Sequence, residues 1–197
     1  MFRRIRWRIA IPYVVLIVAG MAVLAVSLSG FLRRTLISNL EAQLESEALL
    51  LADSLAGDLP ASDAAVINAE AGRIAGLLNA RVTIIAADGT VVGESHDEAA
   101  FMTNHLNRPE VQGARAGGRG SSTRYSQTVG YDMLYVAVPV RAGDEIAGYA
   151  RVALPLREVE AQIGRVQGRI VLATLLAALV AVALAVFIAE RIARPIR

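Results

Sequence analysis

Two long apolar runs bracket a region whose apolar residues recur first at helical and then at alternating spacing. Residues 9–32, IAIPYVVLIVAGMAVLAVSLSGFL, contain no charged side chain. As a helix rising about 1.5 Å per residue the run measures about 36 Å, enough to cross a hydrocarbon core of about 30 Å. Residues 170–189, IVLATLLAALVAVALAVFIA, are likewise free of charge and of proline. A cleaved signal peptide has a shorter apolar stretch, about 7–15 residues, ending on small side chains. Here the first run closes on Phe31-Leu32-Arg33-Arg34, so an uncleaved anchor is expected. A soluble domain of this size has no core large enough to hide both runs.

Between them the pattern changes twice. Over 33–57, Leu36, Leu40, Leu44, Ala48, Leu51 and Leu55 recur at three- and four-residue spacing with Glu41, Glu45 and Glu47 between them, which predicts a helix continuing the first run. Its apolar stripe either packs on its own domain or also pairs with a second copy. A second helix is expected over 61–79, with Ser62 as N-cap and Ile67, Ala71, Ile74 and Leu78 on one face. Strand signals follow. Residues 81–86 and 90–94 flank Ala87-Asp88-Gly89 and read as a hairpin in which Asp-Gly supplies two positive-φ positions. A short helix over 109–114 and a flexible connector, Gly117-Gly118-Arg119-Gly120, come next. Three more strands are predicted at 121–126, 133–140 and 146–154, the last two joined through Gly143-Asp144.

Alternation separates the faces of these strands. Leu134, Val136, Val138 and Val140 share one face, as do Ile146, Ala150, Val152 and Leu154, whereas Tyr135, Tyr149 and Arg151 fall opposite. One face is core and the other is mixed and partly polar. The order helix, helix, hairpin, short helix, three strands predicts an α+β fold, a five-stranded antiparallel sheet with the long helices on one side. Pro155-Leu156 leads straight into an amphipathic helix, 157–167, and so into the second apolar run. A shift of the last strand is therefore expected to pass into that helix as a piston or tilt.

Charge fixes an orientation. The formal net charge of +2 conceals 13 arginines against 17 acids over 33–169, and seven arginines against one acid (Glu190) in the two ends. Arg3, Arg4, Arg6 and Arg8 precede the first run, and Arg191, Arg194 and Arg197 follow the second. By the positive-inside rule both ends lie in the cytoplasm, giving a two-span protein of a bacterial plasma membrane with 33–169 outside. Arginines placed beside membrane spans argue against a nucleic-acid partner. All 20 basic residues are arginine and none is cysteine, so no disulfide or thiolate metal site forms.

Catalytic chemistry is sparse. The two histidines, His96 and His105, both lie between the apolar runs. The stretch His105-Leu-Asn-Arg-Pro109 lacks the acid that follows a kinase phosphoacceptor histidine, and its proline is one residue too close. Ser95-His96-Asp97-Glu98 crowds suitable groups together, but catalytic triads converge from distant segments rather than from consecutive residues. With one histidine the segment is a poor cation site. No catalytic residue and no metal site is expected. Arg124, Tyr125, Tyr135, Tyr149 and Arg151 come from neighbouring strands, and arginine with tyrosine suits an anionic or sugar-like ligand. The alternative is that the arginines pair with acids of the chain itself and the tyrosines cover the sheet.

Four segments carry a family likeness: 82–95 (VTIIAADGTVVGES), 104–111 (NHLNRPEV), 120–126 (GSSTRYS) and 133–140 (MLYVAVPV). With them the chain resembles the extracytoplasmic PAS-like (Cache-type) domains of bacterial sensor histidine kinases, the phosphate-regulon kinases of the PhoR type above all. Residues 190–197 look like the start of a HAMP linker, with Pro195 opening a signalling helix after the second span. Pro155 and Pro195 are then the expected signal-transmission points. The resemblance implies a homodimer in membrane lipid, an extracytoplasmic ligand, and a cytoplasmic part using ATP and magnesium to phosphorylate a histidine and then a response regulator. This chain would itself hold no cofactor, and as a kinase input region it is expected to be a fragment or truncated product. A chemoreceptor or cyclic-dinucleotide enzyme would share the input layout, and a stand-alone membrane adaptor is a third reading.

Overall fold

The computed structural model describes residues 2–56, 59, 63–96, 99–126 and 129–192. Its elements run α1 (Phe2–Leu55), α2 (Ala64–Leu78), β1 (Arg81–Ala86), β2 (Val91–Glu94), a 3-10 turn at Ala99–Phe101, α3 (Pro109–Gly117), β3 (Gly120–Ser126), β4 (Tyr131–Ala142), β5 (Glu145–Pro155) and α4 (Leu156–Ile192). They form two compact units, one holding the chain up to Thr35 and from Glu160, the other Leu36–Val159.

The first unit consists of helix alone. Two stretches, Val15–Leu55 and Ile163–Leu184, contain windows long and apolar enough to cross a membrane, and none of either window is buried within the protein. Leu16, Leu24 and Val26 on α1 and Leu175 and Leu179 on α4 are exposed. The one hydroxyl deep in the α4 run, on Thr174, donates to the Ile170 carbonyl at 2.8 Å, which satisfies it within its own helix.

The second unit is an antiparallel sheet of order β2-β1-β5-β4-β3. Val82, Ile84, Leu134, Val136, Val138, Val140, Ala150 and Val152 point to one face and pack against Leu44, Ala48, Leu51 and Leu55 of α1 and Ile67 and Ala71 of α2. This is the α+β architecture that the alternation predicts. Details differ. Leu36 is exposed and Ile37 packs on the core in its place. Ser62 lies outside the described residues, and the N-cap of α2 is Asp63, whose carboxylate accepts from the Ala65 amide. An extra residue in β5 opposite Val140/Arg141 shifts the register. A bulge of this kind turns the following side chains over, so Ile146 joins Ile85, Val111, Ala137 and Tyr149 on the other face rather than Ala150 and Val152.

The first hairpin also closes differently from a two-residue turn. Among the described residues Asp88 is not in the positive-φ region, whereas Gly89 is, at φ 89°. The Gly89 amide donates to the Ala86 carbonyl (2.9 Å) and the Ala86 amide to the Thr90 carbonyl (2.8 Å). The loop is therefore three residues long with glycine at its left-handed position. Gly117 to Gly120 is not slack either. Gly117 ends α3 and Gly118 caps it in the left-handed region (φ 76°). Gly120 begins β3 with its Cα against the backbone carbonyl of Glu110, where any side chain would collide. Arg119 pairs with Glu45 (3.0 Å) and Glu41 (3.7 Å) of α1.

Candidate functional site

The face of the sheet beneath α3 carries the charged chemistry of the second unit. One rung crosses all five strands: Glu94 of β2 opposite Thr83 of β1, Thr83 opposite Arg151 of β5, Arg151 opposite Ala137 of β4, and Ala137 opposite Gly120 of β3. The first three residues are polar and the last two are small. The small pair lets α3 sit close above β3 and β4, which brings Glu110, in its first turn, down onto Arg151.

Local sequence explains how α3 is held there. Asn104 donates to the Asp88 carbonyl (2.8 Å), the His105 amide to the Gly89 carbonyl (2.8 Å), and the Leu106 amide to Asn104 Oδ1 (2.9 Å). The segment Asn104-His105-Leu106 is thus clamped on the hairpin turn, and Gly89 is glycine also because this segment lies against its Cα. Pro109, pre-set for a first helical turn, then starts α3. Glu110 is fully buried. Its carboxylate accepts from Ser122 Oγ (2.6 Å), Arg124 Nη2 (3.0 Å) and Arg151 Nη1 (3.2 Å). Arg151, only 2% exposed, donates its other terminal nitrogen to Thr83 Oγ1 (2.9 Å). Thr83 in turn donates to Glu94 Oε2 (2.8 Å), and Glu94 Oε1 accepts from Arg81 (3.0 Å). Both guanidinium groups lie over the ring of Tyr135, Arg124 at 4.0 Å and Arg151 at 5.0 Å from its centroid.

The electrostatics follow from this packing. Burial alone would raise the Glu110 carboxyl, but the hydrogen bonds from Arg124 and Ser122 and the charge of Arg151 outweigh it and hold the group at about 2. Burial lowers the Arg151 guanidinium, opposed by the carboxylates of Glu110 and Glu94. His105 is buried and pushed down to about 4 by burial and then by the charge of Arg151. Its Nδ1 lies 2.6 Å from the Thr103 carbonyl, as a donor. Three buried donors of this region have no partner: the Nε atoms of Arg108, Arg124 and Arg151.

Four of the five candidate ligand residues, Arg124, Tyr135, Tyr149 and Arg151, share this face. Tyr125 does not. It alternates with Arg124 on β3 and is 59% exposed. Tyr149 packs with Ile85, Val111 and Ala137, under α3. Pro155 pairs with Met133 as the last residue of β5, and α4 begins at the next residue. Pro195 lies outside the described residues. His96 is exposed with Nδ1 3.2 Å from Ser95 Oγ, and its neighbours Asp97 and Glu98 lie outside the described residues. Among the described residues no three His, Asp or Glu side chains group as metal ligands would.

Residues 35–155 match the single Cache-like family, and the chain belongs to that family of PAS-like sensor domains. No curated protein matches it in sequence. The sensor domain of DcuS from Escherichia coli superposes with a TM-score of 0.52 at 16% identity, over 65% of this chain and 97% of that one. The ligand-binding domain of the Campylobacter jejuni chemoreceptor Tlp3, in complex with 4-methylisoleucine, gives 0.55 at 13% identity, over 72% and 61%. The sensor domain of the Vibrio cholerae histidine kinase DctB gives 0.47 at 19% identity, over 62% and 57%. The chain thus spans less than two thirds of the Tlp3 and DctB chains. At these identities the likeness is one of fold.

Proposed function

We propose that this chain is the input region of a membrane receptor. In this reading α1 and α4 cross the bacterial plasma membrane over 9–32 and 170–189 with both ends in the cytoplasm. The Cache-like unit outside receives a small anion at the face beneath α3. Arg151 carries the reading: a buried guanidinium with an unpartnered Nε, on the strand that runs without a loop into the apolar helix α4. Among the described residues only one carboxylate, Glu110, is hydrogen-bonded to Arg124 or Arg151. With Arg108 nearby the region is therefore short of negative charge, which favours an anion. Movement of β5 on binding would be felt at Pro155 and passed along α4.

The output we favour is a two-component histidine kinase acting through a HAMP linker, supported by the resemblance of the ectodomain segments to phosphate-regulon kinases and of 190–197 to the start of a HAMP linker. The protein would work as a homodimer. A chemoreceptor is the second reading, and the fold shared with Tlp3 supports it. The reading frame downstream of the Arg197 codon decides between them. A HAMP helix, histidine box and ATP-binding domain is the expected result. A methyl-accepting coiled coil would replace the kinase, and a stop codon would remove the receptor output altogether.

A further inference from the structure

The carboxylate of Glu110 occupies the position that an anion bound by Arg124 and Arg151 would take. It is fully buried, arrives from a separate element, and receives three side-chain donors, from Ser122, Arg124 and Arg151. Yet it leaves the Nε atoms of both arginines unpartnered. A buried guanidinium normally finds partners for all its donors, so one tethered carboxylate leaves this site incompletely filled. Fixed to α3, Glu110 cannot diffuse away. Its backbone is held against Gly120, so its side chain competes at a high effective concentration with anything in solution.

We infer that Glu110 is a built-in surrogate ligand, and that a free carboxylate gains the arginine site by exchanging with it. Exchange breaks the only side-chain ion pairs that tie α3 to β3 and β5 among the described residues. The apparent affinity for a free anion is lowered by the fraction of molecules in which Glu110 is seated. The inference rests on the anion-receptor reading of this face and adds how that face is regulated. It also sets a threshold: a weak or dilute anion leaves Glu110 in place, and only a better partner for both guanidinium groups releases α3.

The test is chemical replacement in the full chain, reconstituted in lipid nanodiscs, with acetate as probe and chloride-matched ionic strength. Glu110→Ala removes the tethered carboxylate and leaves room for a free one. Ser122→Ala removes only one of the seat's donors and guards against a failure of the first variant to fold. Titration calorimetry is expected to show acetate binding at least about ten-fold tighter to E110A than to the parent chain, with S122A between. Adding Arg124→Gln to either variant should abolish that gain. Equal acetate affinity in the parent chain and both variants overturns the surrogate-ligand inference while leaving an anion site. Absence of binding in all three overturns the anion reading of the face itself.

Discussion

The two faces of the sheet are held by different physics. Beneath α1 and α2 lie eight aliphatic or alanine side chains from three of the five strands, β1, β4 and β5, all buried and none needing a particular partner. Burial of this kind is non-directional and scales with area. Beneath α3 the opposite face of the sheet presents Arg81, Thr83, Arg151 and Arg124, each held by a named donor or acceptor within 3.2 Å. There the desolvation of charge competes with pairing, and the arrangement stands only while the pairs are complete. One face therefore supplies stability and the other supplies a state that a change in charge can alter.

Breaking the charged face should give the largest effect. Glu110→Ala strands Arg151 in the interior, and urea unfolding should show a loss of about 3–5 kcal/mol. Substituting Glu110→Leu, Arg124→Met and Arg151→Met together should recover most of that loss, because it removes the need for pairing. If the triple variant is as unstable as the single one, the charged face is a structural necessity rather than a sensory one. On the apolar face Leu134→Ala should cost about 2–5 kcal/mol by the same measurement, and no second substitution of a charged residue should restore it.

Acid should separate the faces with an effect of intermediate size. His105 titrates near 4 in the folded protein against 6.5 when free, so the unfolded chain takes up the proton first. Its contribution is intact above about 6.5 and is lost as pH falls through about 4. Glu110, depressed to about 2 from 4.5, contributes above 4.5 and loses that contribution as pH falls towards 2. Thermal melts should therefore fall across both windows. His105→Asn, which keeps a donor for the Thr103 carbonyl, should flatten the upper one; an unchanged slope between pH 6.5 and 4 would remove His105 from the account. The smallest effect belongs to the half-exposed pairs of Arg119 with Glu41 and Glu45. Arg119→Ala should cost less than about 1 kcal/mol, and high salt should erase the difference.

Much of the scaffold was readable along the chain. Period-two alternation over 134–140 and 150–154 assigned the apolar face residue by residue, and the polar character of the opposite face followed from Tyr135, Tyr149 and Arg151. What went unread were contacts between segments far apart. Nothing along the chain singles out Glu110 in its short helix, and little singles out Thr83 or Arg81 in the first hairpin. The signal that pointed to them was weak: polar residues at alternate positions of β1, a strand otherwise of Val82, Ile84 and Ile85. The glycines of 117–120 were read as slack because glycine permits mobility, whereas here it permits close approach of α3 to β3.

The sequence by itself determined the two long apolar runs, the helix-then-strand order, the five strands and the face that forms the core, because these depend on composition and on periods of two and about four that any segment carries internally. Tertiary structure alone decided that Glu94, Thr83 and Arg151 share a rung, that Tyr125 and Ile146 fall on the faces they do, and that Glu110 closes the arginine pair. Register, a single bulge and the seating of α3 set those relations, and none of the three is a property of a residue's own neighbours in the chain.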